Sequence, residues 1–268
     1  MSESGSPTVA GGAEVSSDSR PSARERMTVL LSRELVDGWT YAVGARSTLP
    51  TAAGMLAQAT HAPNLSVLCG GIYVNPRRLV PFAAGYDCHP DSVGDFIDVY
   101  QLTERGVDAI CYSGMQIDRF GNINLHWLDR ADGSRFRGPG IANTSFGHTA
   151  ARTLLWVERH EPRILVPEVD FASVVGLSRR GRTRAELGLP NLGPALLVTP
   201  SVLFEARGGE LAPRVVHGDH DWSRVRAATG WELPDESPPS ATDPTAHEMS
   251  VLRTVVDPMG LLRDRSTG

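Results

Sequence analysis

The stretch from Cys111 to Gly147 constrains this chain more than any other. An apolar segment runs into Gln116-Ile117-Asp118-Arg119-Phe120-Gly121-Asn122-Ile123-Asn124, and a later loop reads Gly138-Pro139-Gly140-Ile141-Ala142-Asn143. Amides and a carboxylate stand beside glycines 114, 121, 138 and 140. Glycine lets a backbone approach a ligand without a Cβ in the way. Asn and Asp set between apolar residues either bond local turns or line a pocket. The residues alone leave both readings open: a β-turn connection held by Asx hydrogen bonds, or the wall of a binding site.

The rest of the chain alternates strand-like and helix-like segments, which predicts an α/β fold with a largely parallel sheet flanked by helices. Helices are expected over 22–36, 51–60, 96–105, 221–229 and 244–255, the last capped by Asp243. Strands are expected over 39–43, 65–68, 108–112, 150–157, 163–166 and 194–198, with a hairpin opening at 202–205. Residues 74–94, punctuated by Pro and Gly, read as loop. The strand at 65–68 ends in Cys69-Gly70-Gly71, and open α/β sheets bind ligands at such Gly-rich strand ends. Residues 1–21 have almost no large apolar groups and read as a disordered tail. A main domain then covers 22–233, followed by a Pro-rich linker and C-terminal helix over 234–268.

Composition narrows the class. The net charge of −5 disfavours a nucleic-acid surface. No apolar run reaches the ~18 residues that span a membrane, and no secretion signal is visible. The three cysteines, Cys69, Cys88 and Cys111, are odd in number and widely spaced, against a disulfide framework or a zinc motif. A reducing cytoplasm is the expected compartment. Arg179, Arg180, Arg182 and Arg184 read as a solvated loop, with a docking surface for an acidic group as the alternative. His217, Asp219, His220 and Asp221 lie close in sequence but lack a matching metal-ligand set.

The two motifs above carry a resemblance. Gln116–Asn124 resembles the Q-[IV]-D-[RP]-[YF]-G-N-[IV]-N signature of the family I coenzyme A transferases, on the β-subunit side. Gly138–Asn143 resembles the G-[SP]-G-G-x-N loop that follows it. Glu186-Leu187-Gly188-Leu189-Pro190 with Gly193-Pro194, and Val256-Asp257-Pro258 near the end, resemble further stretches of glutaconate CoA-transferase-like β subunits. Order and spacing hold from about Gly44 to Pro258. The resemblance implies the NagB/RpiA-like CoA-transferase fold, an α-type partner subunit in a heterodimer or heterotetramer, and a site between the two. It also implies coenzyme A as part of the substrate, with no bound cofactor and no metal.

In that family a glutamate ending an early strand attacks the acyl thioester, within an E-[NS]-G-[IL] pattern. Here the equivalent is Cys69-Gly70-Gly71-Ile72, and no glutamate occurs between Glu34 and Glu104. Without a one-residue gap the matching position is Gly70. Relatives that lack the glutamate decarboxylate unsaturated diacid thioesters or hydrolytically open β-keto-type rings. Cys69 is therefore the candidate catalytic group, as nucleophile or general acid, its pKa lowered by Gly-rich amides; the alternative is a small residue finishing a buried strand. Gly70, Gly71, Gly138, Gly140 and Asn143 are the candidate oxyanion and CoA loops. Arg46 and Gln116 are candidates for substrate binding. Asp118 and Asn122 are expected to shape their turn. Three functions remain open: CoA transfer, decarboxylation or C–C hydrolysis of a CoA thioester, and a non-catalytic subunit supporting an active partner.

Overall fold

The structure, a computed structural model, describes residues 20–44, 46–70, 72–81, 86–140 and 145–263. Nine strands form one sheet: β1 (Thr40–Val43), β2 (Ser66–Cys69), β3 (Tyr73–Pro76), β4 (Pro90–Val93), β5 (Ala109–Tyr112), β6 (Arg152–Trp156), β7 (Pro194–Val198), β8 (Val202–Arg207) and β9 (Glu210–Val216). Their order is β9-β8-β7-β6-β5-β1-β2-β3-β4. The central five, from β7 to β2, pair in parallel. Antiparallel strands extend the sheet at both sides. The chain passes from β1 to β2 on one side and returns to β5 on the other. The carboxyl ends of β1 and β5 thus flank the point where strand order reverses.

The parallel strands are buried on both faces, so they read as apolar runs rather than alternations. One face carries Tyr41, Val43, Val67, Cys69, Cys111 and Leu154 against helices α1 (Ala23–Ser32) and α2 (Thr48–Thr60). The other carries Ala42, Leu68, Ile110, Tyr112 and Leu155, packed with Val99 of α3 (Phe96–Arg105) and Phe146 of α4 (Phe146–Thr149). Helix α1 starts where Ser22 and Glu25 form a capping box. A further short helix, α5 (Trp222–Ala227), is capped by Asp221.

Several sequence expectations are corrected. Residues 74–94 are not loop throughout, because they supply most of β3 and all of β4. The prolines that argued for loop sit at strand ends on the sheet edge, Pro76 last in β3 and Pro90 first in β4, where a missing N–H costs little. Asn75, at φ 48°, uses its side-chain oxygen to accept from Val67 N at 2.9 Å and from Gln58 Nε2 at 3.0 Å. Residues 163–166 form no strand; Leu165 makes an isolated parallel bridge to Ile117. The last helix, α6 (Ala246–Val251), is capped by Thr245 in a capping box with Glu248, not by Asp243, and continues into a wider turn over Leu252–Val256. This C-terminal segment packs against the main body: Leu252, Val256 and Leu262 are buried in the core, and Arg253 grips the buried Glu25 of α1 at 2.8 and 3.0 Å. Arg184 is not solvated. It is buried and donates to the carbonyls of Val175, Gly176 and Asn191 and to the Asn191 side chain.

Candidate active site

The carboxyl edge of the parallel strands gathers most of the sequence candidates. Cys69 ends β2, and both Cys69 and Cys111 lie opposite Val43 of β1 in the parallel register. Two strand spacings, about 10 Å, separate their Cα atoms, too far for a disulfide. All three cysteines are buried thiols. Cys69 is followed by a tight connection to β3 in which Ile72 N returns to Cys69 O at 3.3 Å.

Backbone geometry at this turn bears on which residue, Cys69 or Gly70, takes the place of the family's glutamate. Gly70 has φ +60°, a conformation that Gly and Asn tolerate far better than other residues. The E-[NS]-G pattern then aligns its Asn or Ser with Gly70, and its glutamate with Cys69. Gly70 donates its own N–H to Val43 O at 2.9 Å, which extends the β1–β2 ladder by one bond. Gly71 and Asn143 lie outside the described residues.

The Cys69 thiol is fully buried and points at the first turn of α2, where Thr51 Oγ1 lies 3.6 Å from Sγ. Burial pushes the thiol pKa up to about 12, against a smaller lowering by Thr51. This reverses the expectation of a thiolate stabilised by Gly-rich amides: the group is a held proton rather than a ready nucleophile. Cys111, also near 12 through burial, interacts with the buried Tyr41. Beside Cys69 stands the amino end of α2. Its Ser47 side chain makes no capping bond, and among the described residues no side chain accepts from the amides of Thr48 and Leu49. Arg46 is exposed in the turn between β1 and α2.

The long motif is built differently. Asp118 is buried; it accepts from Phe120 N and Asn122 N, and both of its oxygens accept from Asn122 Nδ2, all at 2.9–3.1 Å. Asn122 in turn accepts from Gly176 N at 2.8 Å and donates to Ser178 O at 3.0 Å. A Cβ on Gly176 would lie 2.0 Å from Phe120 O, so that approach requires glycine. These residues shape a turn, as expected of Asp118 and Asn122. Gln116 has its amide engaged inside the protein, with Oε1 accepting from Asn124 and Asp170 N and Nε2 donating to Asp170. In this chain it acts as a strut. Gly138 and Gly140 are corrected as oxyanion donors, because their N–H groups bond His126 O at 2.7 Å and Leu125 O at 2.8 Å. Gly138 lets the chain close over Met115, whose side chain a Cβ there would meet at 2.4 Å.

Sequence reasoning missed Thr51 and the amino end of α2. The available signal was a Thr-rich helix start opposite a strand ending in cysteine. A separate cleft of about 350 Å³ opens at the amino ends of β6 and β7, lined by Trp39, Arg152, Leu192 and Arg214. Its Arg214 is paired with Glu34.

No protein-family model matches the sequence. The β-type chain of a 3-oxoadipate CoA-transferase from Pseudomonas knackmussii is 28% identical over 244 residues, 87% of this chain and 93% of that protein. Over most of its length the chain is similar to the family I coenzyme A transferases, on the β-subunit side. The IpdB subunit of a cholesterol ring-cleaving hydrolase from Mycobacterium tuberculosis is 25% identical over 256 residues, covering 91% of this chain and 98% of that subunit. Among solved structures, glutaconate CoA-transferase from Acidaminococcus fermentans superposes with a TM-score of 0.78 at 18% identity, covering 91% of this chain and 97% of that one. The decarboxylase AibA/AibB gives 0.76 at 24% identity, covering 91% and 98%. These superpositions establish the α/β CoA-transferase fold read from the sequence.

Proposed function

We propose that this chain is the β-type subunit of a two-chain enzyme acting on an acyl-CoA thioester, and that its reaction runs without an acyl-glutamate. The observation that carries this reading is the buried, protonated thiol of Cys69 at the strand end where the family places its nucleophile. A carboxylate there attacks; a thiol held near pKa 12 donates a proton. The relatives support the reading at the level of class, since they include a decarboxylase and a ring-cleaving hydrolase. AibA/AibB has also been solved with a single cysteine replaced by four different residues.

For an unsaturated diacid thioester the chemistry balances as follows. The bond to the distal carboxylate breaks and CO₂ leaves. Its electron pair passes into the conjugated thioester enolate, whose oxygen meets the uncapped amides of Thr48 and Leu49. The Cys69 S–H bond then breaks as a C–H bond forms, and the thiolate recovers a proton from water. Arg46, exposed at the same edge, suits a substrate carboxylate. Gly71 and Asn143 remain candidates for the loops that hold the CoA moiety. An α-type subunit supplies the opposite wall, and the expected compartment is the cytoplasm; among the described residues no helix is long and apolar enough to cross a membrane.

CoA transfer is the second reading, favoured by the 28% identity to a transferase chain. The test is incubation of the two-chain complex with glutaconyl-CoA and 3-oxoadipyl-CoA, with and without acceptor acids. Loss of CO₂ from glutaconyl-CoA, or hydrolytic C–C cleavage of 3-oxoadipyl-CoA, without an acceptor supports the first reading. CoA exchange that requires an acceptor acid supports the second and refutes the first.

A further inference from the structure

What sets the hydrogen of Cys69 can be read from a neighbouring threonine, given the reading of Cys69 as the proton-bearing group, on which this inference rests. Most threonines in helical turns among the described residues bond back to their own helix, Thr103 to Tyr100 O three residues back, while Thr48 reaches Pro81 O. Thr28, Thr60, Thr149 and Thr254 each donate their hydroxyl to the carbonyl four residues back, at 2.7–3.0 Å. That local bond is the usual fate of a helical threonine. Thr51 departs from it. Its backbone N–H bonds Ser47 O, one turn earlier, at 2.9 Å, but its hydroxyl is directed at Cys69 Sγ at 3.6 Å. Thr51 is 1% exposed and Cys69 0%, so in this chain each finds its partner within the protein.

Hydrogen counting favours one direction. A hydroxyl has one hydrogen and a thiol has one. Were S–H to donate to Oγ1, the buried Thr51 hydrogen would find no other acceptor among the described residues, which is costly. With the Thr51 hydroxyl donating to sulfur, its hydrogen is satisfied and the S–H is free to turn towards the carboxyl edge of the sheet. The same bond strengthens when sulfur becomes an anion, because a charged acceptor binds a donor about twice as strongly. We infer that Thr51 is a positioning residue for Cys69: its hydroxyl donates to Sγ, aims the S–H at the substrate, and steadies the thiolate left behind once the proton has moved. Pro50 assists by geometry, since a proline in the first turn has no N–H to offer and fixes the start of the helix that carries Thr51.

The test compares Thr51→Val, which keeps the shape and removes the hydroxyl, with Thr51→Ser, which keeps the hydroxyl. Each full-length variant is treated with iodoacetamide at fixed alkaline pH, and alkylation of each cysteine is followed by peptide mass spectrometry. The thiolate is the reacting form. Loss of its donor slows Cys69 alkylation in Thr51→Val by about 10-fold, the effect of one hydrogen bond. Cys111, on the same core face but away from Thr51, keeps its rate, and Thr51→Ser keeps the wild-type Cys69 rate. An unchanged Cys69 rate in Thr51→Val, or a parallel change at Cys111, overturns the assignment. In the two-chain complex with glutaconyl-CoA, Thr51→Val lowers kcat with KM unchanged and enlarges the solvent deuterium isotope effect on kcat. Cys69→Ala separates the two roles. Full turnover in Cys69→Ala refutes the Cys69 reading and the role of Thr51 with it. An inactive Cys69→Ala beside a Thr51→Val that alkylates normally refutes the role of Thr51 alone.

Discussion

Two regions of this molecule, one that matches the family signature and one that departs from it, are built in opposite ways. The Gln116–Asn124 motif is long and specific, yet nearly every polar side-chain atom named in it is bonded within the protein: Asp118 to its own turn, Asn122 to Gly176 and Ser178, Gln116 to Asn124 and Asp170. The Cys69-Gly70 strand end is short and departs from the family pattern, yet it brings together a buried thiol, a redirected threonine and an uncapped helix end. In this chain the long signature goes with contacts satisfied internally, apart from the reaction site proposed at Cys69.

The largest expected effect sharpens this contrast from the structural side. Asp118→Ala removes the acceptor for two backbone amides and one side-chain amide in a buried turn. Urea unfolding should show a loss of about 3 kcal/mol or more, the cost of leaving several buried donors unpaired. A stable Asp118→Ala that has lost turnover would break the comparison by making the motif catalytic. Cys69→Ala is the mirror image. Removing one small buried group costs about 1 kcal/mol, while turnover in the complex should fall at least about 100-fold, as for a lost general acid.

The far half of the same sheet edge offers a pH test. Beyond β6 and β7, His160 is held between the Thr199 and Thr229 hydroxyls at 2.9 Å, and His217 is bonded to Thr199 O at 2.8 Å. Burial lowers both pKa values from the ordinary 6.5 to about 4. The folded state holds these rings neutral while the unfolded chain takes up protons below about 6.5, so stability falls as pH drops from there towards 4. Urea unfolding across that range should show a decline of up to a few kcal/mol in all, and His160→Asn should decline less steeply. Cys69 titrates far above this range, so the same acidification should leave its alkylation ratio to Cys111 unchanged.

Arg46→Ala is the smallest change. Its exposed side chain makes no hydrogen bond or ion pair among the described residues, so stability should shift by less than about 0.5 kcal/mol. KM for a substrate with a distal carboxylate should rise about 10-fold, the worth of one charged hydrogen bond, with kcat unaltered.

The parallel centre of the sheet is legible in the sequence because β1, β2, β5, β6 and β7 are apolar runs closed by Gly or polar turns, and α3 is legible over Phe96–Arg105. Strands β3 and β4 are hidden because edge strands tolerate Pro and Asn at their ends, the same residues that mark loops. Arg184 reads as solvated because its three arginine neighbours lie at or near the surface; the carbonyls that capture it come from Val175, Gly176 and Asn191, visible only in three dimensions. The place of Cys69 is legible, but its protonation is not, since the pKa follows from burial under α2 rather than from the glycines beside it. Thr51 lies 18 residues from Cys69, and no local pattern ties a helix's first turn to a neighbouring strand's last residue.

The central claim is that this β-type chain works on a CoA thioester without a carboxylate nucleophile. It is tested most directly by peptide-resolved mass spectrometry of the two-chain complex, trapped during turnover of glutaconyl-CoA or 3-oxoadipyl-CoA. The expected result is no acyl or CoA adduct on any glutamate of either chain and an unmodified Cys69. A glutamyl–CoA thioester on either chain would contradict it.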